Sequence, residues 1–202
     1  MDNAIDTKVS VNTNLPEGDI DHKIEIATQT LERNISFITN CDNKTSIVLT
    51  AIGVLLTIIL TNDGLIAMRD IIHNCLAQRS LCSIVYLICF AIAILILVQG
   101  MYQLGSVLIA RTSVDSKNLK GRSSDNSHIF FDGIHKYVTF QTYKEEFQAM
   151  DRQELLTELI AQIYINADVA TIKYNKYNSG FKQTIIGFVA FVIVLLIGLY
   201  IY

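Results

Sequence analysis

Three stretches of this 202-residue chain contain no Asp, Glu, Lys or Arg: residues 45–62, 80–110 and 183–202. About 20 apolar residues at 1.5 Å of rise each cross a hydrocarbon core ~30 Å thick, and lipid admits only helices or closed barrels at that depth. With one proline and no tryptophan, the chain also lacks the punctuation that many short strands need. The expected fold class is an all-α membrane protein, with three transmembrane helices and a helical cytoplasmic stalk or sensor region. Its 16 basic and 19 acidic residues all fall outside the three stretches. So polar a remainder could not wrap the second and third stretches as buried core helices, because both are apolar on every face.

The stretches differ in length. Residues 45–62 (TSIVLTAIGVLLTIILTN) are just long enough to cross with little tilt, and 80–110 exceed what a bilayer needs, so the part after Gln99 and Gly100 projects or tilts. Residues 183–202 finish in Leu-Tyr-Ile-Tyr, tyrosines at the depth of an aromatic belt. Gly53, Ala91, Ala93, Gly187 and Ala190 are small enough to let helices approach closely.

Basic residues set the orientation. Four precede the first stretch (Lys8, Lys23, Arg33, Lys44), only Arg69 and Arg79 separate the first from the second, and ten lie in 111–182. The positive-inside rule then places the N-terminus in the cytoplasm, the 63–79 connection outside, 111–182 in the cytoplasm and the C-terminus in the periplasm. The start, MDNAIDTKVSVNTNLPEGD, has neither a basic n-region nor an apolar h-region, so no cleavable signal peptide is expected there.

Seven segments follow: a flexible N-terminus (1–18), a cytoplasmic stalk helix (19–44), the first span (45–62), a short external loop with an interfacial helix (63–79), the second span and its extension (80–110), a cytoplasmic sensor region with a second stalk helix (111–182), and the third span (183–202). In the first stalk, Ile20, Ile24, Ala27, Leu31, Ile35 and Ile38 recur at helical spacing, with Asp19 as its N-cap. In the second, Leu156, Ile160, Ile163, Ala167, Ala170, Tyr174, Tyr177 and Phe181 keep a near-heptad repeat, and Asn178-Ser179-Gly180 reads as a bend. Leu65, Met68, Ile72, Cys75 and Leu76 give 64–78 an apolar face, for the membrane surface or for packing on the spans.

Catalytic patterns are missing. There is no HExxH, no GxSxG and no GxxxxGK[ST]. Cys41, Cys75, Cys82 and Cys89 form neither a zinc spacing nor a disulfide framework and read as free, small core hydrophobes. Glu145, Glu146, Glu154 and Glu158 read as the wet faces of helices, so the chain is read as no enzyme, with no cofactor and no metal. The Lys120-Gly-Arg-Ser-Ser124 stretch, followed by Ile129-Phe130-Phe131, offers charge, hydroxyls and rings to a phosphate and a base; the alternative is a solvated loop before a core-facing segment.

Three segments together resemble the membrane effectors of Pycsar, the bacterial pyrimidine cyclase system for antiphage resistance. They are Asp42-Asn43-Lys44 opening the first span, Ser127 to Ile134 (SHIFFDGI) after the second, and Glu158 to Asn178 before the third. The family pattern falls on Asp42 and Lys44, on Ile129 to Phe131, and on Gln162, Asn166 and Lys173. The resemblance implies an antiphage effector that responds to cyclic CMP or cyclic UMP, made by a partner uridylate or cytidylate cyclase, and impairs the inner membrane in abortive infection. It implies the lipid bilayer and a homo-oligomer as partners, no nucleic acid, and the cyclic nucleotide as activating ligand. The candidate ligand residues are Lys120, Arg122 and His128 for the phosphate, Phe130 and Phe131 for the base, and Gln162, Asn166 and Lys173 as facing polar groups. These last three could equally tie helices together by hydrogen bonds. A nucleotide-independent scaffold or adaptor, or a holin-like pore former, is the competing reading.

Overall fold

Helix accounts for nearly all of what the structure, a computed structural model, describes: residues 17–78, 80–109 and 127–202, with no strand among the described residues. The helices are α1 (Glu17–Ile59), α2 (Asn62–Gln78), α3 (Leu81–Leu108), α4 (Phe131–His135), α5 (Phe140–Ala149) and α6 (Arg152–Ile201). Three of them, α1, α3 and α6, are long and apolar enough to cross a membrane. Most of the expected flexible N-terminus and the whole Lys120–Ser124 stretch lie outside the described residues.

Local chemistry explains the boundaries. The Asp151 carboxylate accepts the Glu154 amide at 2.7 Å and starts α6, and the Thr139 hydroxyl accepts the Thr142 amide at 3.2 Å and starts α5. Asp19 is no cap: it lies inside α1, where its carboxylate accepts from Lys23 Nζ at 2.7 Å. Hydroxyls along α1 turn back on their own helix, as Thr45 does to the Cys41 carbonyl and Thr57 to that of Gly53, so they can enter an apolar environment with their donors satisfied. Residues 178–180 do not interrupt α6, which is helical from Arg152 to Ile201.

The chain divides into two units. Among the described residues the first comprises 17–32 and 127–163, the second 33–109 and 164–202. In the first, Ala27, Leu156 and Leu159 form a small buried core, with Ile24, Leu31, Ile129, Leu155 and Ile163 packed around it. Arg152 Nη1 reaches both oxygens of Asp21 at 2.8 and 2.6 Å, an exposed pair that contributes at most about 1 kcal/mol.

In the second unit α3 and α6 lie antiparallel with their backbones nearly touching. A Cβ added to Gly100 would sit 2.5 Å from the Thr184 amide nitrogen, one on Gly180 would sit 3.0 Å from that of Leu104, and one on Gly187 would run into the Leu97 backbone. Phe90 packs on Phe191 with ring centroids 5.8 Å apart. The opposite side of α3, including Ile84, Ile88, Leu95 and Val98, is exposed, as a face toward hydrocarbon would be.

Helix α1 stops short of the length of α6. Its Leu56 and Ile59 reach the cluster of Phe90, Ala93 and Phe191, while α6 continues to Ile201. After a turn at Leu60 and Thr61, where a side chain on Gly64 would strike the Ile59 carbonyl, α2 completes the wall. Its Ile71 lies against the Gly198 position, and Asn74 Nδ2 donates to the Tyr202 carbonyl at 3.2 Å. The Tyr202 hydroxyl is 2.9 Å from Ser83 Oγ, and its ring packs 5.6 Å from that of Tyr86. Helix α2 packs on the spans through buried Ile71 and Cys75 and leaves Leu65, Ile66 and Leu76 exposed.

The buried stripe of α6 differs from the apolar repeat. Leu159, Gln162, Val169, Lys173, Gly180, Thr184, Gly187 and Phe191 are buried, whereas Ile160, Tyr164 and Phe181 are exposed. Among the small residues singled out, Ala93 is buried and Gly187 abuts α3, but Gly53 has nothing within 4 Å. Replacing Gly187 with Leu is expected to destabilise the detergent-purified protein by about 1–3 kcal/mol through overpacking, and Gly53→Leu to stay within about 0.5 kcal/mol. Equal thermal melting of the two variants would show that Gly187 does not set the α3–α6 spacing.

Candidate functional site

The strongest convergence of polar groups in the first unit is built on Glu158 of α6, 9% exposed. Its carboxylate accepts the Ser127 hydroxyl at 2.9 Å, the His128 amide at 3.0 and 3.2 Å, and His128 Nδ1 at 2.5 Å. Ser127 Oγ in turn accepts the Phe130 amide at 3.1 Å, closing a tight turn before α4. Gly133 lies across that turn, where a Cβ would come within 2.6 Å of the Ser127 carbonyl oxygen, so only glycine fits. The Ser127–Ile134 segment is thus folded around one carboxylate.

The far side of the imidazole meets α5. His128 Nε2 lies 3.4 Å from Glu146 Oε2, which also accepts the Tyr137 hydroxyl at 2.9 Å, and the Tyr143 hydroxyl donates to the His128 carbonyl at 3.0 Å. Tyr137 and Tyr143 meet edge to face, 5.3 Å apart. Both ring nitrogens of His128 therefore face carboxylates. Ser127 donates to Glu158 and not to the imidazole, so these three residues lack the nucleophile-to-base contact of a hydrolytic triad.

Burial alone would lower the His128 pKa, but the hydrogen bond and charge of Glu158, with help from Glu146, outweigh it and raise the pKa above its ordinary 6.5. For Glu158, burial pushes upward, and the donors from His128 and Ser127 more than reverse this, leaving it below its ordinary 4.5. Burial, then the hydrogen bond to Glu146, pushes the Tyr137 phenol up to about 12.

In the second unit an ion pair between a buried lysine and a half-buried aspartate joins two of the segments that carried the family resemblance. Lys173 Nζ donates to both oxygens of Asp42 at 2.6 and 2.8 Å, with the lysine side chain 6% exposed. Geometrically, Lys173 ties α6 to α1.

Of the eight residues singled out as ligand candidates, Lys120 and Arg122 lie outside the described residues. His128 sits between Glu158 and Glu146; Phe130 and Phe131 contact each other with centroids 4.7 Å apart, Phe131 exposed. Gln162 is buried in the first unit, while half-buried Asn166 and buried Lys173 belong to the second. Glu146 is exposed, as the wet-face reading expects, but Glu158 is turned inward and buried, contrary to that reading. Glu158 precedes Gln162 by four residues and Lys173 by fifteen, so one helical face carries all three, a pattern visible in the sequence. Among the described residues, no three His, Cys, Asp or Glu side chains are grouped to hold a metal ion.

Three long apolar helices, a polar unit centred on a His–Glu cluster, and an ion pair between helices define an all-α membrane protein. A family profile, the Pycsar effector protein domain, matches residues 26–200, and the chain belongs to that family. It is 24% identical over 184 residues to the Pycsar effector protein GmPycTM of Gulbenkiania mobilis, covering 84% of this chain and 89% of that protein. No solved structure matches. Membership makes the chain a membrane effector of antiphage defence, in a family of non-enzymatic effectors whose system implies a partner cyclase and a cyclic nucleotide signal.

Two outcomes follow from this geometry. His128, with a raised pKa, adds stability that is complete below pH 6.5 and is lost as pH climbs through its folded value. Glu158, with a lowered one, adds stability that is present above pH 4.5 and is lost as pH falls through its folded value. Melting temperature should therefore be flat between those two limits and decline at higher pH, and Glu158→Gln should remove most of that decline. Breaking the Lys173–Asp42 pair with Asp42→Asn should cost about 3 kcal/mol, much of it recovered in an Asp42→Leu/Lys173→Met double variant. Thermal denaturation of the variants measures both effects.

Proposed function

We propose that this effector senses a cyclic pyrimidine nucleotide, cyclic CMP or cyclic UMP, on its cytoplasmic side and responds by impairing the bacterial inner membrane, arresting growth before phage release. The observation that carries the reading is the unequal hold on His128. Glu158 grips Nδ1 at 2.5 Å and fixes the ring, whereas Glu146 meets Nε2 at 3.4 Å, a contact that an anion can take over. A cyclic phosphate accepted at Nε2 would displace Glu146, with Lys120 and Arg122 supplying further charge and the Phe130–Phe131 pair a surface for the base. Glu158 belongs to α6, the same unbroken helix that carries the third apolar stretch, so a change at His128 loads a helix that crosses the membrane. A homo-oligomer that repacks its spans would turn that load into leakage. In this reading the N-terminus is cytoplasmic and the C-terminus periplasmic.

Calorimetry of the purified full-length protein should show binding of cyclic CMP or cyclic UMP in preference to cyclic AMP and cyclic GMP, and Arg122→Ala should weaken it about 10- to 100-fold by removing charge-assisted hydrogen bonds. Cells carrying the cyclase and challenged with phage should take up a membrane-impermeant dye only when this protein is present. Absence of nucleotide binding would favour a scaffold, and leakage without the cyclase would favour an autonomous pore former.

A further inference from the structure

The second unit contains an apolar groove of about 480 Å³, a volume within the ~300–1,000 Å³ range of sites that hold small molecules. Its walls come from the end of α1 (Leu56), from α2 (Met68, Ile72), from α3 (Val98, Met101) and from Phe191 of α6. Arg69 is the one charged side chain that lines it. Among the described residues no carboxylate pairs with that guanidinium.

Arg69 is exposed at the rim of this groove, and an unpartnered guanidinium beside an apolar trough offers an anion a charge-assisted contact while its stem reaches toward the interface. Ile71, two residues beyond Arg69, lies against Gly198, and the four residues from there to Tyr202 rise about 6 Å. Arg69 is thus within snorkelling reach of the level of the terminal tyrosines. The groove continues down α3 to Met101, far enough to shelter hydrocarbon below a head group held by Arg69.

We infer that this groove is a binding site for one phospholipid with an anionic head group, its acyl chain lying between α1, α2 and α3 and its phosphate on Arg69. The occupant follows from the pairing of charge and shape: an apolar trough open toward hydrocarbon with a single unpartnered cation at its outer end.

The test uses the absence of tryptophan from the natural chain. Full-length Val98→Trp, with its probe on the groove wall, and Leu95→Trp, with its probe on exposed α3 surface outside the groove, are reconstituted in nanodiscs. The discs contain brominated phosphatidylglycerol or brominated phosphatidylcholine at equal mole fraction. Quenching at position 98 is expected to favour the anionic lipid about fivefold, the preference that one basic residue gives near an anionic surface. That preference should vanish in Val98→Trp/Arg69→Gln, and position 95 should show no preference. Equal quenching by both lipids at position 98 overturns the inference. So does quenching by neither, which would mean that a second copy or another protein covers the groove. A melting curve for each variant confirms that it is folded.

Discussion

Lipid gives two apolar helices no hydrophobic reason to leave it for each other, so what joins α3 to α6 has to be contact itself. Gly100, Gly180 and Gly187 supply it by removing the side chains that would hold the backbones apart; Gly187 meets the Leu97 backbone most closely, and Gly100 faces the buried Thr184 across a gap nearly as small. With that spacing set, Phe90 and Phe191 meet, and their cluster receives the ends of α1 and α2. The groove beside Arg69 is what remains where α1 has ended and α2 only partly covers α3. Larger residues at the three glycines would therefore change a packed assembly into separate spans.

Ionic contacts fix the registers that packing leaves free. Lys173 is buried on Asp42, and a charge so placed tolerates few alternative positions, because sliding either helix by one residue leaves an ammonium without its carboxylate. Glu158 plays the equivalent part in the first unit: three donors converge on one carboxylate, and a segment with little helix of its own is wound onto α6. Both anchors pair residues far apart in sequence, and both place a charged group on the inner stripe of the same helix.

That stripe is also where the sequence was hardest to read. The charge-free runs identified the three long apolar helices, since the absence of Asp, Glu, Lys and Arg over 18 to 31 residues leaves few alternatives. Hydrophobic periodicity along α6 misled, because Ile160 and Phe181 are exposed while Gln162, Lys173 and Gly180 face inward. In a water-soluble helix the apolar face marks the core; here close approach and polar pairing decide which side faces inward. Gly180 illustrates the ambiguity, since a residue that frees a backbone to bend is equally one that lets another backbone touch it. The His128–Glu158 contact spans 30 residues, and no local pattern reports it. Only the shared helical face of Glu158, Gln162 and Lys173 hinted that polar groups were turned inward.

The single residue Tyr202 has a practical bearing on how the protein can be studied. Its main-chain oxygen holds Asn74, its hydroxyl meets Ser83 and its ring covers Tyr86, so one residue clasps α2, α3 and α6 together. A substitution that shortens this side chain would open the clasp, and the wall that α2 completes would loosen with it. A fluorophore near Tyr202 would report whether the clasp is open or shut.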